Sequence, residues 1–580
     1  MSIQKKWQLS AAVSRQLLEK FPEINPIILQ LLANRRLTEQ KSIDDFLAAN
    51  YEDHVHDPYL FHDMERAMER LFAAVKGREK VMIYGDYDAD GVCSTTILSQ
   101  ALRALGLEAD TYIPFREGEG YGLNQKVAQQ IAAQGYQLVI TVDCGISNAA
   151  EIIYLKEQGI ETIVLDHHEE PLVRPPALAI INPSLADSGY PPIRLCAAGV
   201  AYKFVQAIIT YQDKINSPVK LPDGFDKWLL DLVAIATVGD IMPLIDENRV
   251  FVKYGLMVLA KTRNLGLLRL MEMINNKNEL NAEYLGWRIV PRLNAAGRIN
   301  HASVALNLLN AKDNDEADKW VECLEKNNRE RQQITEKIVN EAITRLGDIS
   351  EDQKIIFIAG DGWPAGVVGL VAGKLSDRFH RPALVFTREE ESGAVKYSGS
   401  GRSIEEFDIT AGLKQCHDLL ARYGGHPQAC GLTILGEDNY QKFQDKMNGL
   451  ALKQLTGTVL VPSISIEAEI RLADINWQLL DELEKFEPFG EANEKPLFCA
   501  QKLIVEQVQT VGVDGKHLKV QVSQAGNPNL HKLIGFSFGD WCAKLSPGEE
   551  IDIIFELGVN EWNGNREIQL KIADLRISGQ

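Results

Sequence analysis

Three aspartates at alternate positions follow a short apolar run. The run Val81–Tyr84 ends at a glycine, Asp86, Asp88 and Asp90 follow, and apolar residues then recur at helical spacing. This pattern predicts a buried strand, a tight turn and the N-terminus of a helix. Carboxylates this close repel one another, and their hard oxygens are ligands that Mg²⁺ or Mn²⁺ prefers. From this segment alone, a solvated acidic turn with one aspartate as helix cap is an equal alternative.

Three later apolar runs, each interpreted as a strand, also end in residues that bind metals. They are residues 137–142 before Asp143, residues 161–165 before Asp166, His167 and His168, and residues 234–237 before Asp240. The last of these runs also ends a continuous helical pattern over residues 227–238. Parallel strands that alternate with helices bring their carboxyl ends to one edge of a sheet. Carboxylates and imidazoles from four such turns therefore favour a metal site over a solvated acidic turn.

The motifs around these residues resemble the DHH phosphoesterases, and among them the RecJ-type single-strand-specific exonucleases. The resemblance covers most of the chain and is carried by GDYDADG (85–91), IPFREGEGYG (113–122), VDCGI (142–146), LDHHE (165–169), GDIMPL (239–244) and PRLNAAGR (291–298). It implies two divalent cations, Mn²⁺ or Mg²⁺, with Asp143 between them. By the same resemblance Asp88 binds one ion, and Asp90, His167 and Asp240 bind the other.

Other residues of the centre take their roles from the resemblance as well. His168 would contact a non-bridging or leaving oxygen, and Asp166 would orient an imidazole. Asp86 is either a ligand or a neighbour of one, and Tyr84 stands where some family members have a histidine, so the ligand set of the first ion stays open. Two cations roughly 3.5–4 Å apart lower the pKa of a shared water and stabilise both the entering and the leaving oxygen, so no separate general base is required.

Glycine-rich and arginine-rich phrases could hold the phosphates of a strand. Guanidinium groups and exposed amides bind phosphate oxygens, although each phrase could equally be an ordinary loop, a turn or a capped helix. The resemblance favours phosphate binding. The predicted residues are Arg116, then Arg292, Asn294 and Arg298 in what is interpreted as a loop, and Ser400, Arg402 and His426, of which the first two lie in an interpreted turn.

Composition sets limits on the kind of protein. The net charge of −19 disfavours non-specific binding to phosphates, so composition alone suggests a hydrolase of small molecules, and any DNA path must be a local basic groove. Residues 1–20 contain charged side chains and no long apolar core, so we expect a cytoplasmic protein with neither a signal peptide nor a membrane span. Eight scattered cysteines form no CxxC pair, which argues against a zinc ribbon and a disulfide framework.

The expected fold class is α/β: a parallel-sheet DHH domain joined by a long helix to a smaller α/β DHHA1 domain, followed by an all-β OB-like barrel. The predicted boundaries are an N-terminal helical segment at 1–70, the DHH domain at 71–311, the connecting helix at 312–348, the DHHA1 domain at 349–454 and the barrel at 455–580. The barrel prediction depends on several short strands and on a hairpin turn at residues 562–565. Lys516, Lys519 and Trp562 are predicted to contribute charge and stacking for an oligonucleotide, although barrel aromatics more often belong to the core.

The resemblance implies 5′-to-3′ degradation of single-stranded DNA to mononucleotides, in DNA repair and recombination. It also implies a single-stranded-DNA-binding protein and a helicase as partners, and we expect a monomer. One alternative is a DHH phosphodiesterase of short oligonucleotides, cyclic dinucleotides or a phosphoanhydride. The other is a non-enzymatic replisome scaffold with a decayed DHH site.

Overall fold

The computed structural model describes residues 5–116, 118–274, 280–391, 394–562 and 565–579. The strands are β1 Lys6–Leu9, β2 Val81–Tyr84, β3 Ala109–Tyr112, β4 Leu138–Val142, β5 Glu161–Leu165, β6 Ala179–Ile181, β7 Ile356–Asp361, β8 Ala383–Glu391, β9 Ala394–Arg402, β10 Arg422–His426, β11 Ala429–Leu435, β12 Ser463–Ile466, β13 Ala468–Glu469, β14 Phe498–Val511, β15 His517–Gln524, β16 Asn527–Gly535, β17 Glu550–Trp562 and β18 Asn565–Ile577. The helices are α1 Arg15–Lys20, α2 Pro26–Asn34, α3 Gln40–Ala48, α4 Tyr51–His54, α5 Met64–Gly77, α6 Ala89–Ala104, α7 Gln125–Ala133, α8 Ala149–Glu157, α9 Ala197–Lys214, α10 Leu230–Gly239, α11 Asp246–Leu259, α12 Leu265–Ile274, α13 Ala282–Tyr284, α14 Val290–Ile299, α15 Ser303–Leu309, α16 Asn314–Leu346, α17 Ala365–Phe379, α18 Ile409–Gln415, α19 Glu437–Leu455 and α20 Trp477–Glu484.

The chain forms two compact units, which we call the barrel unit and the two-sheet unit. The barrel unit comprises Met1–Val55, Pro243–Val250 and Val461–Gln580, and the two-sheet unit comprises His56–Met242 and Phe251–Leu460. Among the described residues, none of the helices combines the length and the apolar character that crossing a bilayer requires.

The first sheet of the two-sheet unit is entirely parallel, in the order β3-β2-β4-β5-β6. Strands β2 and β4 are buried at every residue, as expected for strands covered by helices on both faces. Helix α6 begins immediately beyond the carboxyl edge of β2 and is buried along nearly its whole length. The parallel sheet predicted for the DHH domain is therefore confirmed, and its carboxyl edge collects the turns that follow β2, β4 and β5.

The second sheet has the order β10-β11-β9-β8-β7, with β7 and β8 parallel and the other pairs antiparallel. The C-terminal half of α16 packs with α17 against one face, and α18 and α19 pack against the other. Helix α16 runs for 33 residues, starts at an Asp313 cap that accepts from the N–H of Glu316, and ends at Gly347 with φ +60°. Its uninterrupted length agrees with the long connecting helix predicted from the pattern.

The barrel unit contains a closed sheet. Strands pair in the order β14-β15-β16-β18-β17, and β17 returns to β14, while β13 adds to the outside of β14. Closure removes exposed strand edges and matches the OB-like barrel predicted. Helices α2 and α3 bury their apolar faces in the same core, and β1 pairs in parallel with β12. The residues of the predicted hairpin turn at 563–564 lie outside the described residues.

Three local predictions are wrong, each for a packing reason. Residues 234–237 lie in helix α10, which agrees with the helical pattern over 227–238 and contradicts the strand interpretation. A short, wholly buried apolar run has no periodicity that separates a strand from a helix. Residues 291–298 belong to helix α14, where a Cβ on Gly297 would lie 2.6 Å from the carbonyl oxygen of Tyr87, so this glycine serves close packing and no turn. Residues 400–402 continue strand β9, where a Cβ on Gly401 would lie 2.6 Å from Cys430 Sγ. The strand β1 was also not predicted.

Arg249 is the polar centre of the barrel unit's segment Pro243–Val250. It is 2 % exposed. Its guanidinium donates to the carbonyl oxygens of Phe46 (3.0 Å), Lys485 (2.9 Å), Phe486 (2.8 Å) and Pro488 (3.3 Å). The Arg249 guanidinium therefore connects the segment 243–250 to helix α3 and to residues 485–488.

We expect the substitution R249A to lower the free energy of unfolding by about 3 kcal/mol, because it leaves several buried carbonyls without a donor. The control is R15A, which removes an arginine whose side chain is 92 % exposed and should cost less than about 0.5 kcal/mol. Urea denaturation followed by tryptophan fluorescence measures both. An R249A protein within about 1 kcal/mol of the parent would contradict the structural role.

Candidate metal centre

Residues 85–90, which we call the acidic loop, run from the end of β2 into the first turn of α6 and hold three carboxylates. Asp88 caps α6, and its Oδ1 accepts from the N–H groups of Asp90 (2.9 Å) and Gly91 (3.1 Å). A Cβ on Gly91 would lie 2.4 Å from the carbonyl oxygen of Asp86, so only glycine lets the loop fold back this closely. Asp86 is 4 % exposed, and its Oδ1 has no hydrogen-bond partner among the described residues.

The first backbone N–H groups of helix α9 donate hydrogen bonds to the carboxylate of Asp90. Its Oδ2 accepts from the N–H of Ala197 at 2.6 Å, and its Oδ1 accepts from the N–H of Ala198 at 2.7 Å. Because free N–H groups and positive partial charge gather at a helix N-terminus, these bonds stabilise a buried carboxylate. The small residues at 197 and 198 therefore allow close packing and, in addition, fix Asp90.

Strand β4 ends at Asp143, which has an unusual backbone conformation. Its φ is +60°, in the left-handed region, and its N–H donates to the carbonyl oxygen of Leu165 at 3.0 Å. A Cβ on Gly145 would lie 2.3 Å from Thr141 Oγ1, so the chain turns back tightly against its own strand. Backbone strain of this kind is concentrated at functional sites, and here it sets the direction of a 3 % exposed carboxylate.

The tripeptide after β5 is organised by Asp166, which is fully buried. Its Oδ2 accepts from the N–H of Ile146 at 3.0 Å, and its Oδ1 accepts from the N–H of His167 (2.8 Å) and lies 2.7 Å from His168 Nδ1. With these bonds Asp166 fixes the ring of His168. The next residues along the edge anchor the tripeptide, because Asn182 donates to the carbonyl of His168 and Ser184 to that of His167.

The ligand-type atoms form groups in which all atoms lie within 4.8 Å of one another. One group is Asp86, Asp88 and Asp143, and a second is Asp90, His167 and Asp240. His167 Nε2 lies 3.2 Å from Asp143 Oδ1 and 3.7 Å from Asp240 Oδ2, so the two groups adjoin. Asp240 reaches this position as the C-cap of helix α10.

These residues fit divalent cations. Asp86 Oδ1 and Asp240 Oδ2 are buried without a hydrogen-bond partner among the described residues, which is costly unless a cation satisfies them. Several carboxylate oxygens with one imidazole are a donor set suited to Mg²⁺ or Mn²⁺. The structure thus assembles the residues named from the sequence, and their assignment to individual ions stays a prediction.

Crowding of charges shifts the protonation of the whole group. Burial, followed by the charge of Asp88, raises the pKa of Asp90 to about 7. Burial, followed by the charges of Asp90 and Asp88, raises the pKa of Asp240 to about 8. Burial and neighbouring carboxylates also raise the pKa values of Asp86 and Asp143. Repulsion among these groups opposes the full negative charge, and bound cations would relieve it.

The two histidines differ sharply. Burial and the charge of His168 lower the pKa of His167 to about 4, so its imidazole is neutral and its nitrogen lone pair is free to bind a metal. Burial alone would lower the pKa of His168, but the hydrogen bond to Asp166 raises it to about 9. Burial likewise opposes the charge of Asp166, yet the bond from His168 and the histidine charges lower the pKa of Asp166. His168 is therefore a cation at neutral pH.

Sequence reasoning did not single out Tyr121, although it lies within the 113–122 phrase. Its hydroxyl donates to the carbonyl oxygen of Asp143 at 3.0 Å and lies 3.0 Å from His168 Nδ1. Its ring packs at a tilt on that of His168. Nothing in a single tyrosine between glycines signals this contact, which depends on the fold of the 113–122 loop.

A group of guanidiniums lies beside the carboxylates. Burial, followed by the charges of Arg116, Arg331 and Arg402, lowers the pKa of Arg298 to about 9, and the charge of Asp88 opposes that shift. Arg116 also lies over the ring of Tyr87, at 4.9 Å from its centroid. Arg298 on helix α14 therefore lies near arginines of the 113–122 segment, of α16 and of β9.

Ser400 and Arg402 lie on β9, two positions apart and both facing α17. Arg402 Nη1 donates to Ser400 Oγ at 3.4 Å, and a Cβ on Gly369 would lie 3.0 Å from that oxygen. His426 ends the exposed strand β10, which β11 separates from β9. Its charge contributes to lowering the pKa of His167, after burial and the charges of His168 and Arg194. The second sheet thus brings polar groups near the metal-type cluster, and substrate contact by them stays a prediction.

Two other predicted strand contacts have partners within the protein. Arg292 Nε donates to Glu325 Oε2 at 2.8 Å, which ties α14 to α16. Asn294 Oδ1 accepts from the N–H of Ala89 at 2.7 Å, which ties α14 to the acidic loop. Both contacts favour a positioning role, and direct substrate binding by either residue stays a prediction.

Two of the three barrel candidates, both lysines, lie on the barrel surface. Lys516 and Lys519 are exposed, and Lys519 lines a cavity of about 520 Å³ together with Lys532 and residues of β14. The side chain of Trp562 lies outside the described part of the chain. The sheet face around Lys519 is thus polar and open to an extended ligand.

Three family models match this chain. They are described as the DHH family, N-terminal domain, at residues 80–237, the DHHA1 domain at residues 333–453 and the RecJ OB domain at residues 466–574.

Relatives and solved structures agree with these matches. The single-stranded-DNA-specific exonuclease RecJ of Bacillus subtilis (strain 168) is 37 % identical over 556 residues, which cover 96 % of this chain and 68 % of that protein. The crystal structure of RecJ in complex with Mn²⁺ from Thermus thermophilus matches with a TM-score of 0.81 and 27 % identity, over 99 % of this chain and 80 % of that one. The corresponding Mg²⁺ complex matches with a TM-score of 0.73 and 25 % identity, over 99 % of this chain and 79 % of that one.

We expect the substitution D143N to raise the melting temperature of the metal-free protein by roughly 2–4 °C, because it removes repulsion worth about 1 kcal/mol. Added Mn²⁺ should stabilise the parent by about 2.7 kcal/mol at a hundredfold excess over Kd, and D143N much less. The control is D187N, which removes an equal charge from an exposed ion pair with Arg174. Differential scanning fluorimetry with EDTA and with Mn²⁺ reads both effects. If D143N responded to Mn²⁺ like the parent, Asp143 would not be a ligand.

Proposed function

This chain belongs to the RecJ family of DHH proteins, and we propose that it degrades single-stranded DNA from the 5′ end, releasing mononucleotides in DNA repair and recombination. One observation carries the proposal: two adjoining groups of carboxylates with one neutral imidazole lie beside a cluster of guanidiniums. The first arrangement suits divalent cations and the second suits a phosphate chain. The name of the Bacillus subtilis relative supports the choice of substrate.

The cofactors are two Mn²⁺ or Mg²⁺ ions, in line with the metal complexes of the Thermus thermophilus protein. Asp86, Asp88 and Asp143 would hold one, and Asp90, His167 and Asp240 the other, with Asp143 shared. Such a pair supplies an activated water and stabilises the entering and leaving oxygens of the phosphodiester.

The protein's own residues hold the reacting phosphate. His168 is a cation at neutral pH because Asp166 accepts its Nδ1–H, and the imidazolium can donate from Nε2 to a phosphate oxygen. Tyr121 contacts the same ring and the backbone of Asp143, so it fixes the position of the His168 ring relative to Asp143. Asp166 acts through His168 and orients it.

The strand end is held by the guanidinium cluster. Arg116 and Arg298 come from the first half of the two-sheet unit, and Ser400, Arg402 and His426 come from the second sheet. In this proposal they bind the terminal phosphate and its sugar, and a narrow passage between the two sheets admits a single strand and excludes a duplex. Arg292 and Asn294 support this arrangement through α16 and through the acidic loop.

The cellular setting follows from the substrate. We propose a cytoplasmic monomer that works on strands coated by a single-stranded-DNA-binding protein and opened by a helicase, partners that the family resemblance suggests. The RecJ relatives named above act on single-stranded DNA, and that coarser statement is the one that the comparisons support.

End-labelled single strands of each polarity test the main proposal. With Mn²⁺ or Mg²⁺, we expect mononucleotides to be released from the 5′ end, and D143N to lower the rate by about 10³ because a shared ligand is lost. Blunt duplexes of the same sequence are the control and should persist. Release from the 3′ end would contradict the polarity, and absence of any nucleotide release with Mn²⁺ would favour the scaffold alternative.

The barrel distinguishes a long strand from a small substrate. Because helices α2 and α3 bury apolar side chains in the barrel core, deleting the barrel would expose that core, and substitutions are the better test. We expect the double variant K516A/K519A to raise KM for a 20-nucleotide strand and to reduce the slope of log KM against log salt by roughly 1.4, with a dinucleotide unaffected.

The matched control for this variant is K41A/K76A, which removes two exposed lysines that lie outside the barrel strands. Unchanged kinetics of K516A/K519A on both substrates would favour the alternative of a phosphodiesterase for short oligonucleotides or cyclic dinucleotides.

A further inference from the structure

Two buried donors lie one turn apart on helix α16. Asn327 is 5 % exposed, and its Nδ2 has no hydrogen-bond partner among the described residues. Arg331 follows at i+4, on the same face, and its Nε is likewise buried without a partner in the described part of the chain. A buried donor left unpaired costs about 1–3 kcal/mol, so two of them together call for a ligand that accepts hydrogen bonds.

The neighbours of Arg331 leave its charge without a counterion. Its Nη2 donates to Asn328 Oδ1 at 2.9 Å, a neutral acceptor. Glu325, the acid one turn before Arg329, is already shared between Arg292 (2.8 Å) and Arg329 (3.1 Å). Among the described residues, neither the Arg331 nor the Arg298 guanidinium forms an ion pair with a carboxylate. The ligand that fits is an anion with several acceptor oxygens.

The position of Arg331 relative to the metal centre indicates which anion. The charges of both Arg331 and Asp88 act on the buried Arg298 guanidinium, so Arg298 lies near α16 and near a predicted metal ligand. Asn294 and Arg292 connect the same helix, α14, to the acidic loop and to α16. Positive charge is therefore present both beside the predicted metal ligands and at α16, and a strand with regularly spaced phosphates needs positive charge at more than one position.

We propose that Asn327 and Arg331 form a second phosphate-binding subsite, which takes a backbone phosphodiester of the substrate strand beyond the scissile one. This inference rests on the proposed function, and it adds a determinant of substrate length. Arg331 donates through Nε and the guanidinium fork, and Asn327 donates through Nδ2 to the same phosphate. The subsite makes the enzyme prefer strands long enough to reach α16.

A length series tests the subsite. Oligodeoxythymidylates of two to eight nucleotides, each with a 5′-phosphate, are hydrolysed with Mn²⁺, and KM is measured for each. We expect KM of the parent to fall about tenfold at the length at which a phosphate reaches Arg331. In R331A this step should disappear, while KM for the dinucleotide and kcat stay as in the parent.

The matched control is R329A. It removes the same charge from the same helix, two positions away, where the side chain is 72 % exposed and pairs with Glu325. R329A should keep the length step. R331K should keep the salt dependence but recover only part of the step, because an ammonium lacks the fork. N327D should raise KM for long strands more than N327A, because a carboxylate repels phosphate.

Binding is measured in parallel by fluorescence anisotropy of the labelled oligonucleotides with Ca²⁺ in place of Mn²⁺. A parent protein that binds with a length step but releases no nucleotide would contradict the proposed function and leave the subsite supported. A length step that persists in R331A would overturn the subsite, and so would an equal rise of KM at every length together with a lowered melting temperature. The latter result would mark Arg331 as a structural residue only.

Discussion

Repulsion between carboxylates that share one edge of a sheet is the constraint on which the rest of the structure depends. Asp86, Asp90, Asp143 and Asp166 are all nearly inaccessible to water, and burial alone disfavours their charged forms. Fixed backbone donors stabilise two of these carboxylates: the first N–H groups of α9 donate to Asp90, and the N–H of Ile146 donates to Asp166. Two carboxylate oxygens, Asp86 Oδ1 and Asp240 Oδ2, have no hydrogen-bond partner among the described residues. A bound cation would satisfy them.

The same constraint explains how a chain with a net charge of −19 can handle a polyanion. Beside the carboxylates, the charge of Arg116 contributes, after burial, to lowering the pKa values of both Arg298 and Arg402, so three guanidiniums lie near one another there. Like charges this close are unfavourable in the absence of a phosphate chain, just as the carboxylates are in the absence of cations. Each cluster is therefore completed by a ligand of opposite charge, and the acidic remainder of the molecule weakens binding elsewhere.

Sequence reasoning succeeded where one local signal sufficed. Strands β2, β4 and β5 are continuous apolar runs that end at polar residues, and parallel pairing then dictates that their ends converge. It was ambiguous before Asp240, where the same residues fitted a strand and the end of a helical pattern, and the structure shows helix α10 with Asp240 as its C-cap. It could not find the grip of Ala197 and Ala198 on Asp90, because that contact joins residues 107 and 108 positions apart and uses backbone atoms that every residue has. The family resemblance predicted the metal-dependent chemistry, whereas only the structure shows which contacts position the side chains.

Two glycines show why the packing around the acidic loop could not be predicted from the sequence. In sequence, Gly91 and Gly297 look like residues of turns, yet both lie in helices and both face the acidic loop. A Cβ on Gly91 would lie 2.4 Å from the carbonyl of Asp86, and one on Gly297 would lie 2.6 Å from the carbonyl of Tyr87. Helices α6 and α14 therefore press on the loop from two sides at backbone distance, and Asn294 adds a hydrogen bond to Ala89 N–H. Because α14 also carries Arg298 and contacts α16 through Arg292, a shift of the loop would move the predicted metal ligands together with the arginines that we propose to bind phosphate. The acidic loop and the arginines are thus connected through α14. Such a connection is needed if a phosphate and its attacking water are to meet in a fixed geometry.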